Sequence, residues 1–141
     1  MWIVLFIIAL ALITTIGRWK TYEKAGYPGY HAIIPFLADY VWLKMGDLSG
    51  WWAWFFVLFV YYARSIYKAQ YYFGPTISMT VGLLLLIVEL VLHAVISFRV
   101  AKKFDYNYAF GIGLFLFYPI FIMILGFEDH EYRGEKPDYY I

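Results

Sequence analysis

A glutamate and a histidine stand in the middle of an apolar run of this sequence. The run reads LLLLIVELVLHAVISF and places Glu89 four residues before His93. In an α-helix this spacing puts both side chains on one face. A charged carboxylate at the centre of a bilayer costs about 2.5–3.5 kcal/mol on insertion scales, so ionisable residues at such positions are rare and often functional. Glu89 and His93 are therefore a candidate intramembrane polar pair.

Two interpretations of this pair are open. It could relay a proton or cation, or offer a polar patch to a partner helix. It could instead be a hydrogen-bonded pair that joins helices, a common use of polar residues in membranes. The structural interpretation is favoured because one pair forms no pathway. A zinc site needs further ligands, and we expect His31 and His130 on opposite faces of the membrane, so we predict no metal and no catalytic residues.

The composition indicates that the solvent of this protein is lipid. Of its 141 residues, 64% are hydrophobic and 15% are charged, whereas soluble domains have about 45–50% and about 25%. A single domain of this length cannot bury so much apolar surface in water. The net charge of +1 gives no field for binding nucleic acid. The absence of cysteine excludes disulfides and thiolate chemistry.

The apolar runs predict an all-α integral membrane protein, because a crossing helix needs about 17–25 largely apolar residues. Residues 32–45 are apolar but short and contain Asp39 and Lys44, which favours a short interfacial helix, with a re-entrant half-helix as the alternative. A polar tail, 128–141, is predicted to be partly ordered at best, and its acidic residues are expected to be solvated. The four predicted transmembrane helices cover residues 2–17, 51–66, 77–98 and 109–127.

Charge placement predicts the orientation. Residues 1–16 carry no charged side chain and precede Arg18, the reverse of a signal peptide, which indicates an uncleaved anchor. With the N-terminus outside, the inner segments hold seven of the eleven basic residues, in agreement with the positive-inside rule. We therefore expect a multi-pass protein of the bacterial inner membrane with both termini extracytoplasmic.

The stretch KAGYPGYHAIIP joins the first span to the interfacial segment. Its glycines permit unusual backbone conformations and its prolines fix φ, so it is predicted to form a structural elbow built on Lys24, Gly26, Pro28, Gly29 and Pro35. Basic residues beside the apolar runs are expected to contact lipid headgroups, and bound lipid is the one non-protein component expected. These headgroup contacts are Arg18, Lys20, Lys102 and Lys103.

Two blocks of the sequence resemble a family of uncharacterised bacterial integral membrane proteins. The first, WKTYEKAGYPGYHAIIPFLADYVWL, resembles its K-A-G-x-P-G-[WY]-x-A-x-I-P signature. The second, VAKKFDYNYAFGIGLFLFYPIFIMILGF, resembles its basic turn followed by a glycine-rich span. The signature's usual Trp is Tyr30 here, and residues 46–98 match poorly. The resemblance implies a membrane fold, and in some bacteria an association with signal peptidase I, but it carries no chemistry to transfer.

The sequence thus predicts a small non-catalytic membrane protein that is a subunit or accessory of a larger assembly. Its expected partners are the bilayer and other membrane protein subunits. A proton- or ion-coupled transporter or channel component using Glu89 and His93 is the alternative, and an accessory of signal-peptide processing is a third.

Overall fold

The computed structural model describes residues 1–134, which are helical and contain no strand. The prediction of an all-α fold is therefore confirmed for this part of the chain. Two short 3₁₀ turns, Gly29–Ala32 and Gly50–Trp52, precede the second and third helices. The α-helices are α1 (Trp2–Lys24), α2 (Pro35–Met45), α3 (Ala53–Phe73), α4 (Pro75–Lys103), α5 (Tyr108–Leu116) and α6 (Tyr118–Phe127).

Two of these helices, α1 and α4, are long and apolar enough to cross a membrane. Most of their apolar side chains are exposed rather than buried in the protein; Leu5 and Leu83, for example, are 53% and 57% exposed. The 21 residues of α3 would reach about 31 Å at 1.5 Å per residue. Its second half carries Arg64 and Lys68, so α3 lacks an apolar stretch as long as those of α1 and α4.

The fourth predicted span, 109–127, is not one helix. The chain bends at Phe117, which has φ −122° and ψ 50°, and the two short helices α5 and α6 fold back on each other. The rings of Phe110 and Phe121 meet edge to face with their centroids 5.1 Å apart, and the ring of Tyr106, before α5, packs against that of His130, after α6. Pro119 lies in the first turn of α6, where proline is tolerated. We call α5 and α6 the hairpin.

The hairpin returns the chain to the end of α1 that is opposite to Met1. Lys24, at the end of α1, donates hydrogen bonds to the backbone oxygens of Leu125 and Glu128. The backbone N–H of Arg133 donates to the carbonyl of Lys103, at the end of α4. Residues 128–134 therefore lie at the end of the helix assembly opposite to Met1.

Helix α2 is embedded in the protein rather than resting on its surface. It packs against α3 and α4, and its residues Val41, Trp42, Leu43 and Met45 are almost completely buried. These apolar side chains of α2 therefore form part of the core. The interfacial position of residues 32–45 stays a prediction.

Candidate functional site: a polar cluster between four helices

Three polar side chains from three helices meet inside the protein. Arg18 of α1 donates from Nε to the hydroxyl of Tyr118 at 2.6 Å, and from Nη1 to Asp39 Oδ1 at 3.3 Å. The side chains of Arg18 and Asp39 are 21% and 29% exposed, so the ion pair is partly screened. The guanidinium group also lies 5.2 Å from the centre of the Tyr118 ring.

The fold fixes these three groups from several sides. Tyr118 is the first residue of α6, so the bend of the hairpin delivers its hydroxyl to Arg18. The Tyr22 hydroxyl donates to the carbonyl of Ala38 at 2.5 Å, which ties α2 to α1 beside Asp39. The edge of the Trp42 ring packs against Tyr118 at 5.5 Å. The cluster is therefore held by contacts among α1, α2 and α6.

The predicted pair, Glu89 and His93, joins this cluster from α4. The ring of His93 packs against Phe115 and Tyr118 at 5.4 and 5.8 Å. Glu89 lies one helical turn before His93 on α4 and interacts electrostatically with Asp39 of α2. No hydrogen bond joins Glu89 to His93, and the buried Oε2 of Glu89 has no hydrogen-bond partner among residues 1–134. The described residues therefore do not show the hydrogen bond expected between Glu89 and His93.

The charges of the cluster favour the binding of a positive group. Arg18 neutralises one carboxylate, so ionised Asp39 and Glu89 together leave one negative charge in excess. Burial raises the pKa of the Asp39 carboxyl, and the neighbouring Arg18 opposes that shift. Within the described residues, no three His, Cys, Asp or Glu side chains are grouped to hold a metal ion. The unpartnered Glu89 oxygen is thus suited to a proton or to a hydrogen-bond donor.

The four residues predicted to contact lipid headgroups differ in their exposure and in their partners. Arg18 lies in the cluster, where Asp39 and Tyr118 supply its partners, and its contact with lipid headgroups stays a prediction. Lys20 is exposed and pairs with Glu23 at 3.5 Å. Lys103 pairs with Asp47 at 2.5 Å, whereas Lys102 is exposed.

The elbow residues lie in a tight connection between α1 and α2. Gly26 has φ +83°, a conformation that favours glycine, and a side chain on Gly29 would collide with the Trp19 ring. Pro28 precedes the 3₁₀ turn, and Pro35 opens α2. Lys24 binds the last carbonyls of α6, a favourable position for a cation at a helix C-terminus.

The two remaining histidines do not lie on opposite faces. His31 follows the end of α1 within the elbow, and the His130 ring nitrogen Nδ1 lies 3.0 Å from the Phe104 carbonyl oxygen at the same end of the assembly. His31 is 2% exposed, and neither of its ring nitrogens has a hydrogen-bond partner among the described residues. Burial lowers the pKa of His31, which favours its neutral form.

The sequence interpretation missed Arg18, Asp39 and Tyr118 as one cluster. The available signal was a pair of opposite charges, one at the end of an apolar run and one inside a short apolar segment. Buried charges in proteins are usually paired with an opposite charge. Nothing in the sequence distinguishes Tyr118 from the other tyrosines, of which the chain has 15 in total.

These features define a helical protein with two helices able to cross a membrane and with an internal polar cluster. The chain belongs to DUF5684, a family of unknown function, whose profile matches residues 30–135. No curated protein and no solved structure matches the chain. Asp39, Glu89, His93 and Tyr118 lie within the matched region, whereas α1 with Arg18 precedes it.

Proposed function

We propose that this protein is a non-catalytic subunit or accessory of a larger assembly in the bacterial inner membrane. One observation carries the proposal. The N-terminal two thirds of α1, residues 2–16, have no buried residue. Among the described residues α1 packs against α6 and the 3₁₀ turn of the elbow, with no comparable contact to α3 or α4. We call the resulting space between this part of α1 and the α3–α4 pair the lateral gap.

The proposed placement in the membrane has three crossings, α1, α3 and α4, with the N-terminus outside. The Tyr62 hydroxyl donates to the Ser78 carbonyl at 2.7 Å, which supports α3 and α4 as an antiparallel pair. The hairpin then enters from the inner side and reaches about half the depth, since its helices have 9 and 10 residues and rise about 1.5 Å per residue. The lateral gap begins where the hairpin ends.

Glu89 is the proposed contact point for the partner. It lies one helical turn nearer the outer side than His93, whose ring meets the hairpin tip, and its buried Oε2 has no partner among the described residues. A helix in the lateral gap that carries a Lys, Arg or hydroxyl group would complete that hydrogen bond. Polar contacts of this kind join membrane helices.

A photo-crosslinking amino acid on α1 tests this proposal. Leu10 lies on the side of α1 that continues toward Gly17 and α6, whereas Leu12 points away and is 58% exposed. We expect a discrete protein adduct in native membranes from position 10 and mainly lipid adducts from position 12. The adduct and the co-purified partner should both disappear in Glu89→Leu. Equal adducts from both positions, or a partner retained by Glu89→Leu, would contradict the proposal.

Proton or cation transfer is a second candidate function. The electrostatic interaction between Asp39 and Glu89 supports it, because two carboxylates and the imidazole of His93 could exchange one proton. Proton uptake into vesicles that contain only this protein tests it, with Glu89→Gln as the variant that cannot cycle a proton. Uptake that is equal in both proteins would exclude Glu89 from this role.

Signal peptidase I is one candidate partner, on the family resemblance alone. Co-purification with a tagged peptidase from the native host, compared with an unrelated membrane protein of similar abundance, tests this assignment.

A further inference from the structure

The inner end of α4 holds a second feature outside the polar cluster. A cavity of about 330 Å³ opens between the end of α4 and the start of α5. Aromatic side chains form much of its wall, and two cationic groups stand at its rim. Its lining residues are Phe98, Arg99, Lys102, Tyr106, Asn107 and Tyr108.

The two cations at this cavity have no carboxylate partner among residues 1–134. Arg99 reaches only the carbonyl of Gly46, at 3.4 Å. Lys102 forms no hydrogen bond or ion pair among those residues, whereas the next residue, Lys103, is neutralised by Asp47. The i, i+3 spacing puts Arg99 and Lys102 side by side on the helix. Within residues 1–134 they therefore present two positive charges without a carboxylate partner.

The cavity combines this charge with an apolar wall. Phe98 packs between α4 and the hairpin, since a side chain on Gly111 would collide with its ring. Tyr108 faces Phe98 at 6.2 Å and is 80% exposed. A ligand that fits must therefore carry negative charge at one end and hydrocarbon at the other. An anionic phospholipid has this chemistry.

We propose that this cavity binds one anionic phospholipid, with its phosphate between Arg99 and Lys102 and an acyl chain along Phe98 and Tyr108. The proposal requires α4 to cross the bilayer, so that the cavity lies at headgroup level. It does not require a partner helix in the lateral gap.

Native mass spectrometry in a neutral detergent tests this site. The purified full chain is titrated with phosphatidylglycerol and, separately, with phosphatidylcholine of the same acyl chains. We expect one phosphatidylglycerol to bind in preference to phosphatidylcholine. Removing both charges in Arg99→Gln/Lys102→Gln should weaken that first binding about 30-fold. The single variant Lys102→Gln, which breaks no contact within the described fold, should weaken it by about 5-fold.

A matched double variant, Lys20→Gln/Lys44→Gln, removes the same charge from exposed lysines outside the cavity. It should bind phosphatidylglycerol within about 2-fold of the wild type. An equal loss in this control would show general electrostatic attraction and overturn the site. So would equal binding of both lipids, or unchanged binding by Lys102→Gln. Displacement of the lipid by millimolar inorganic phosphate would assign the cations to free phosphate instead.

Discussion

Replacing Gly17 by alanine tests how closely the hairpin packs on α1. A Cβ at this position would lie 2.9 Å from Cγ2 of Ile122 and 3.0 Å from its carbonyl oxygen. The side chain could rotate away, but the carbonyl belongs to α6 and moves only with the helix. To restore an ordinary van der Waals distance between the new Cβ and this carbonyl oxygen, α1 and α6 must move apart by roughly 0.4 Å.

The expected loss of stability is the difference between two opposing effects. Overpacking of this kind costs about 1–3 kcal/mol, while alanine in a helix interior gains about 0.5–1 kcal/mol over glycine. The difference spans about 0–2.5 kcal/mol, so we expect Gly17→Ala to lower the free energy of unfolding by about 1 kcal/mol. Gly82→Ala is the matched control, because its Cβ would meet only the Tyr62 ring, at 3.3 Å. That variant should gain up to about 1 kcal/mol.

Unfolding in mixed micelles of a mild detergent and sodium dodecyl sulfate measures both variants. Tryptophan fluorescence is a suitable signal because the Trp42 ring is buried against Tyr118. If Gly17→Ala proved as stable as Gly82→Ala, α6 would not pack closely on α1, and the described position of the hairpin would be refuted.

Three further predictions address the hairpin, the elbow and the cluster. Cysteines that replace Phe110 and Phe121 should be crosslinked within one chain by a short bismaleimide, because the two rings are 5.1 Å apart. A straight helix would separate these positions by about 16 Å. Failure to crosslink would contradict the hairpin. Since the pKa of His31 is lowered in the folded state, the unfolded chain binds its proton first, so stability should be full above about pH 6.5 and fall below it. Unfolding at pH 7.5 and 5.5 measures this loss, which should shrink in His31→Leu but persist in the exposed-site control His130→Gln. Glu89→Gln should leave the free energy of unfolding almost unchanged. Glu89→Leu should raise it by about 1 kcal/mol, because Oε2 of Glu89 has no partner among the described residues. A marked loss of stability in Glu89→Leu would show that Glu89 holds the helices together.

The sequence predicted the helices better than their arrangement. Apolar runs located α1 and α4, and the Gly and Pro residues of the elbow marked the connection before α2. The run over 109–127 contains enough apolar residues for a span, and its composition alone does not distinguish one crossing from two shorter helices that return. The bend depends on tertiary packing, including the close approach of Gly113 to the Phe121 ring.

The sequence predicted only part of the candidate site, because the remaining part depends on tertiary packing. Hydropathy identified Glu89 and His93 as unusual within one helix, and their spacing suggested that they bind each other. Their neighbours come from other helices, and the contacts of Tyr118 exist only because the hairpin turns there. Arg18 was assigned to headgroups because positive charge beside an apolar run usually lies at the interface.

The hairpin has a consequence for how the protein is made. On the proposed placement, the chain crosses the bilayer an odd number of times, so the acidic residues Glu128, Asp129 and Glu131 never need to be translocated. Only the short link between α3 and α4 has to pass to the far side after α1 is anchored, and it consists of Gly74. The last two helices can enter after synthesis from the side of the ribosome, guided by Tyr118 to Arg18. Insertion of α1, α3 and α4 would thus come first, and assembly of the polar cluster would be the final step of folding.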